Sequence, residues 1–338
     1  SKSVVYFSII GILAFVSLGS VIYFENGFRN LKNRIPPNLI WLALGEKLDV
    51  KGDVCTPSPD EKSGIIMCDF GDLSSTKNIV LYGDSHLTAI SEELNKAFIE
   101  LKIKGTTIVN KKIGYGTFDT CDVIPELRTY SPKNTDTTDR CLTGFKNILS
   151  YIKKSNAEVI VASRWSFKLY PIKNQIDDMP YKNSEGGMEN ETYREYVSVI
   201  NGNISFTGVD KKLTINHFID GLLSATNRLY LIYPIPEIGW DIARTNISYY
   251  KANGTLLGGI SIPYSDFVSR NRFINSVFNE YKNNPNVIPI KPELIFCDTF
   301  LKNRCVAQYK KIPYYYDDDH LSDAGARLIV DKLKGKFK

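Results

Sequence analysis

Histidine, methionine and tryptophan are scarce, with three of each in 338 residues. The three histidines, His86, His217 and His320, are scattered, and no cysteine pair has C-x-x-C spacing, so no metal site is expected. Long lysine or arginine runs are also missing, and basic residues do not interleave with stacking aromatics, which argues against nucleic acid as a partner. A net charge of +5, from 42 basic against 37 acidic residues, is too small to specify a strongly anionic partner. What the chain does hold is 43% hydrophobic residues, enough for one large α/β domain with an appendage.

Its one long apolar run, Val4 to Phe24, carries no charge and is long enough to cross a bilayer as a helix. A cleavable signal peptide competes, but the run is too long for the usual apolar region and no small-x-small cleavage site comes after it. Residues 1–25 are therefore expected to be a transmembrane helix, and because the chain opens on Ser1 rather than Met, the last span of a larger membrane domain. Arg29, Lys32 and Arg34 after the span would place the next domain in the cytoplasm by charge bias. The cysteines argue the opposite. They form three locally spaced pairs, Cys55 with Cys68, Cys121 with Cys141 and Cys297 with Cys305, expected as disulfides in an oxidising compartment. Earlier spans would override the flanking charges of one helix, so the oxidising side is the expected location.

Residues 26–77 hold Pro36, Pro37, Pro57 and Pro59 and little periodicity, and read as a linker partly packed on the domain after it. From residue 78 to 338 strands and helices alternate. Strand-like runs at 78–82, 106–110, 158–162, 228–233 and 286–290 are separated by helical patterns, which predicts a three-layer α/β/α domain on a five-stranded parallel sheet. Residues 167–212 are polar and rich in Asn, Gly and Tyr, and are expected to be an insertion, either a lid or a loop without a role.

The chemistry sits at two corners. Ile79-Val80-Leu81-Tyr82 runs into Gly83-Asp84-Ser85-His86, a buried strand ending in a turn where open α/β sheets place ligands. Ser85 then begins a helix, and a serine needs a base to become a nucleophile. Near the other end, Asp317 and His320 are spaced so that the carboxylate can reach Nδ1 while Nε2 faces a serine. Asp318 and Asp319 compete with Asp317 as that carboxylate, but the three-residue spacing favours Asp317 and the other two read as solvated charges near a helix N-terminus; His86 reads as a packing residue of the corner and His217 as a residue without a role.

Gly-Asp-Ser-His together with Asp-x-x-His-Leu-Ser resembles the SGNH, or GDSL-like, hydrolase superfamily. The resemblance implies a flavodoxin-like strand order 2-1-3-4-5, with Ser85 as nucleophile, His320 as general base and acid, and Asp317 as the orienting group. It also implies an oxyanion hole from the Ser85 N–H and a glycine of Ile113-Gly114-Tyr115-Gly116-Thr117, with Gly114 and Gly116 both open. The superfamily's Gly-x-Asn-Asp block is replaced here by Ala162-Ser163-Arg164-Trp165-Ser166. Arg164 could supply N–H groups in its place and Trp165 could stack on a sugar or acyl donor; a salt-bridged Arg and a core Trp are the competing readings.

That block, Tyr233-Pro234-Ile235-Pro236-Glu237, and the Cys297 and Cys305 pair before Asp-x-x-His resemble SGNH domains fused to integral-membrane acyltransferase family 3 proteins. The implied activity is O-acyl transfer, O-acetylation foremost, onto a bacterial surface polysaccharide such as O-antigen, at the periplasmic side of the inner membrane. No cofactor is expected on the domain itself. The acyl group would derive from acetyl-CoA through a membrane acyltransferase domain, in the same chain or separate. Water in place of a sugar hydroxyl would make the same triad a carbohydrate esterase, and a third reading is a glycan-binding module without catalysis.

Overall fold

Side-chain alternation along the strands sets the layering. In a computed structural model, which describes residues 15–17, 19–20, 54–57, 65–110, 122–130, 138–169, 181–189 and 196–337, Ile79 and Leu81 point to one face of the sheet and Val80 to the other. Ile160 and Ala162 oppose Val159 and Val161 in the same way, and Tyr230 and Ile232 oppose Leu229 and Leu231. A strand buried on both faces is apolar at every position, and these runs are. Each buried Leu, Ile or Phe contributes roughly 1.5–3 kcal/mol, so two such faces hold the sheet.

The strands are β1 (Val54–Pro57), β2 (Ile65–Gly71), β3 (Asn78–Gly83), β4 (Lys104–Asn110), β5 (Leu127–Thr129), β6 (Glu158–Ala162), β7 (Tyr196–Ile200), β8 (Asn203–Ser205), β9 (Leu229–Ile232), β10 (Gly259–Pro263), β11 (Val287–Ile290), β12 (Arg304–Tyr309) and β13 (Ile312–Pro313). The main sheet has the order β1-β2-β4-β3-β6-β9-β11. From β4 to β11 all neighbours are parallel. These five carry the expected order 2-1-3-4-5.

The expected five-stranded parallel sheet is nevertheless too narrow. β2 pairs antiparallel with β4 along its whole length, and β1 pairs antiparallel with β2, so the sheet is mixed and seven strands wide. Both extra strands lie in the proline-bearing stretch that read as a linker; β2 carries the apolar run Ile65 to Cys68, and the four-residue β1 is a strand by its pairing with β2. Cys55 stands opposite Cys68 in this hairpin, and Cys68 is disulfide-bonded.

One face is covered by helices Ser85–Leu101 and Asp323–Lys334, whose Ile90, Leu94, Phe98, Ile329 and Leu333 join its cluster. The other is covered by Thr138–Lys154, Gly208–Ala225 and Tyr264–Phe278. Arg327 to Glu93 and Lys334 to Glu100 tie the last helix to the first, which brings the tail of the chain back to the corner after β3. Two antiparallel three-stranded sheets, β10-β12-β13 and β5-β7-β8, flank the core. The latter takes up part of the expected insertion 167–212, whose residues 170–180 and 190–195 lie outside the described ones.

Among the described residues no helix is long and apolar enough to cross a membrane. The expected span over 4–24 lies outside them except for residues 15–17 and 19–20, which are helical. Cys297 and Cys305 form a disulfide, Cys141 is disulfide-bonded, and Cys121 is outside the described residues.

Candidate active site

Gly83 makes the first corner possible. A Cβ there would collide with the Ala162 carbonyl oxygen and with Leu87, so only glycine lets β3 end against β6 and turn into the helix. Asp84 caps that helix by accepting the His86 backbone N–H at 3.0 Å. Its second oxygen accepts from the Ser163 hydroxyl at 2.6 Å, the Arg164 backbone N–H at 2.9 Å and the Lys168 ammonium at 2.8 Å. Burial opposes a charge on Asp84, but Lys168 and His86 outweigh it and hold the carboxyl below the usual range. Lys168 is itself buried and pairs with Asp122 as well, and these two carboxylates overcome desolvation to raise its pKa. The turn is thereby clamped to the end of β6, and Ser85 is left exposed as the first residue of the helix.

The second corner closes on itself. Asp317 Oδ1 accepts the backbone N–H groups of Asp319 and His320, and Tyr316 N–H donates to the His320 carbonyl. Leu321 is buried in the core, and the Ser322 hydroxyl donates to the Pro313 carbonyl and caps the last helix. Each position of Asp-x-x-His-Leu-Ser thus has its own physical task.

The two corners meet. His320 Nε2 lies 2.7 Å from Ser85 Oγ, and its Nδ1 lies 2.8 Å from Asp317 Oδ2. The Tyr316 ring stacks on the imidazole at 5.5 Å between centroids. Desolvation disfavours the imidazolium, but hydrogen bonds to Asp317 and Asp319 outweigh it, and His320 is pushed up to about 11. Ser85, His320 and Asp317 are therefore within the reach that acyl transfer through a serine would require.

Other expected residues are elsewhere. Arg164 does not face the serine: its guanidinium is buried, with Nε 3.0 Å from Glu237 and from Asp319 and Nη2 2.9 Å from Glu189. Trp165 is buried, its indole N–H donates 2.9 Å to the Ile232 carbonyl, and it packs against Phe278, so no ring face is open to a sugar. The salt-bridged Arg and core Trp, rather than the binding roles, are what the structure holds, and for one cause: the chain turns into the short helix Trp165–Leu169 directly after β6 and carries these side chains inward. Gly114 and Gly116 lie outside the described residues, and the Ser85 N–H sits at the helix N-terminus. His217 is exposed and pairs with Glu126.

Asp318 and Asp319 are not solvated charges but buried. Asp319 places Oδ1 3.0 Å from His320 Nδ1 and Oδ2 2.9 Å from His86 Nε2. His86 is buried with it, so it is more than a filler of the corner. The sequence placed both residues beside the motifs, and no spacing rule could tell that their side chains converge.

An α/β domain with a Ser, His and Asp in hydrogen-bonded series at the carboxyl end of the parallel strands of a mixed sheet defines the class. The chain matches the family model of the SGNH domain (fused to AT3 domains) over residues 54–335, and it belongs to that family. Among solved structures it is similar to the periplasmic domain of a lipopolysaccharide acetyltransferase from Salmonella ser. Paratyphi A, with 14% identity over 78% of this chain and 84% of that one and a TM-score of 0.42. A possible lipase from Chitinophaga pinensis DSM 2588 is also similar, with 15% identity over 77% and 97% and a TM-score of 0.31. No curated protein matches.

Proposed function

We propose that this domain is an O-acyltransferase that carries an acyl group, acetyl foremost, on Ser85 and passes it to a hydroxyl of a bacterial surface polysaccharide such as O-antigen. The hydrogen-bonded series Ser85, His320, Asp317 carries the reading. Ser85 Oγ attacks the donor carbonyl while its proton moves to His320 Nε2, and that proton then goes to the departing group. A sugar hydroxyl next gives its proton to His320 and attacks the acyl-serine, and Ser85 Oγ recovers the proton as it leaves. The Ser85 N–H, with a glycine of the 113–117 stretch, would hold the oxyanion.

Family membership supports transfer rather than simple hydrolysis, because the family's SGNH domain is fused to AT3 domains. A membrane acyltransferase domain is the fitting acyl donor, with acetyl-CoA as the ultimate source. Disulfide-bonded Cys68, Cys141, Cys297 and Cys305 fit an oxidising compartment such as the periplasm, and the run at 4–24 would then be the membrane tether. The exposure of Ser85 favours one second reading, an esterase in which water takes the acyl group.

The test is product partition. With an activated acetyl ester and a surface-glycan oligosaccharide, acetylated glycan should exceed free acetate. Acetate release that no acceptor alters would make the domain an esterase.

A further inference from the structure

Behind His320 lies a second set of ionisable groups that the Ser85, His320, Asp317 series does not use. Asp317 offers only Oδ2 to His320 Nδ1, because its Oδ1 already accepts two backbone N–H groups. Asp319 approaches the same nitrogen at 3.0 Å from a neighbouring position in the loop. Its other oxygen lies between His86 Nε2 at 2.9 Å and Arg164 Nε at 3.0 Å. The rings of His86 and His320 meet edge to face at 5.4 Å, so one carboxylate joins two imidazoles and a guanidinium.

Such a carboxylate is expensive to bury unless it is paired, and Asp319 is paired on both oxygens. Each element packed around the site contributes. Asp317, Asp319 and the Tyr316 ring come from the tail loop, His86 from the first helix, Arg164 from the end of β6, Glu237 from the segment after β9, Glu189 from residues 181–189 and Arg270 from helix Tyr264–Phe278. Tyr315 is buried close by, and Asp319 and Glu237 help to hold its hydroxyl protonated. Four carboxylates thus face two guanidiniums and two imidazoles around the His320 ring. Burial pushes the Glu189 carboxyl up, whereas Arg270 and Arg164 overcome burial to hold Glu237 down. Asp319 is held well below the usual carboxylate range: desolvation opposes its charge, and His320, His86 and Arg164 outweigh it.

We propose that Asp319 is a second carboxylate partner of His320, braced by His86 and Arg164, and that it is a positioning residue which sets the pH at which His320 can accept the proton of Ser85. The proposal rests on the acyl-serine reading. Two carboxylates on one Nδ1 keep its proton in place while Nε2 exchanges protons with Ser85 and the acceptor. Asp317 supplies the loop closure and one hydrogen bond; Asp319 links the imidazole to the buried charges beneath it.

Ring-nitrogen NMR of the whole chain in the Ser85→Ala background reads His320 without turnover. His320 should remain protonated through pH 8, and Asp319→Asn should lower its midpoint by about one to three units, as expected on losing a charge within a few ångströms. With Ser85 present, the acid limb of acyl transfer should move down by the same amount in Asp319→Asn. A wild-type His320 titrating near its ordinary 6.5 would overturn the proposal without any variant. So would a midpoint and pH profile unmoved in Asp319→Asn while only thermal stability falls, which would make Asp319 a structural anchor. Failure of the acyl-serine reading shows separately, as full activity in Ser85→Ala.

Discussion

His320 Nε2 and Ser85 Oγ lie 2.7 Å apart although 235 positions of sequence separate them. The pairing of the last helix with the first brings them together, through Arg327 with Glu93 and a shared apolar face. That meeting, and the charges around it, set how activity and stability should respond to pH and to substitution.

Activity should rise with pH across neutrality. A protonated His320 cannot take the serine proton, and Asp317 and Asp319 overcome desolvation to push this group up to about 11. The acid limb of kcat/KM should accordingly lie well above pH 6.5. The same shift has a stability consequence. Because the folded-state value is raised, the stabilisation is fully present below pH 6.5 and is lost as pH rises toward 11. A pH series of kcat/KM alongside thermal melts checks both, and a limb near 6.5 would contradict the first.

Lys168→Met should loosen the serine corner. The substitution leaves the half-buried Asp84 and Asp122 carboxylates without their shared cation. Breaking a fully buried pair costs about 3–5 kcal/mol, so a smaller loss is expected here, read as a lowered denaturant midpoint, and the rate should fall with it because the lysine's bonds to Asp84 and Ser163 are lost. Unchanged stability and rate would show that the clamp is dispensable.

The two corners were legible in the sequence and the space between them was not. Five parallel strands announced themselves by unbroken apolar runs such as Ile79 to Leu81, and the corner residues by motif. The β1 and β2 pair was read as linker because the prolines of that stretch outweighed the apolar run Ile65 to Cys68, which pairs with β1 on one side and β4 on the other. Arg164 and Trp165 stand where a binding residue was expected, and the short helix after β6 turns both inward. Asp319 stood as a competitor of Asp317 and was read as a solvated charge because two of its partners, His86 and Arg164, are distant in sequence. Long-range electrostatic pairing leaves no local pattern to read.

Reduction should destabilise the flank of the site. Cys297 and Cys305, the latter in β12, close a short loop ahead of the His320 corner. Removing this crosslink with Cys297→Ser and Cys305→Ser together should cost about 2–3 kcal/mol by loop-closure entropy. Thermal unfolding of wild type with and without reductant, beside the double variant, measures it. A variant as stable as the oxidised wild type would show that the crosslink adds nothing.

The central claim is that Ser85 becomes acylated. Intact-mass and peptide mass spectrometry after a short exposure to an activated acetyl ester should place one acetyl group on the Ser85 peptide, lost again on addition of acceptor, and none in Ser85→Ala or His320→Ala. An acetyl group that never appears on Ser85 while wild-type protein still turns over substrate, or a Ser85→Ala variant with full activity, would contradict the account.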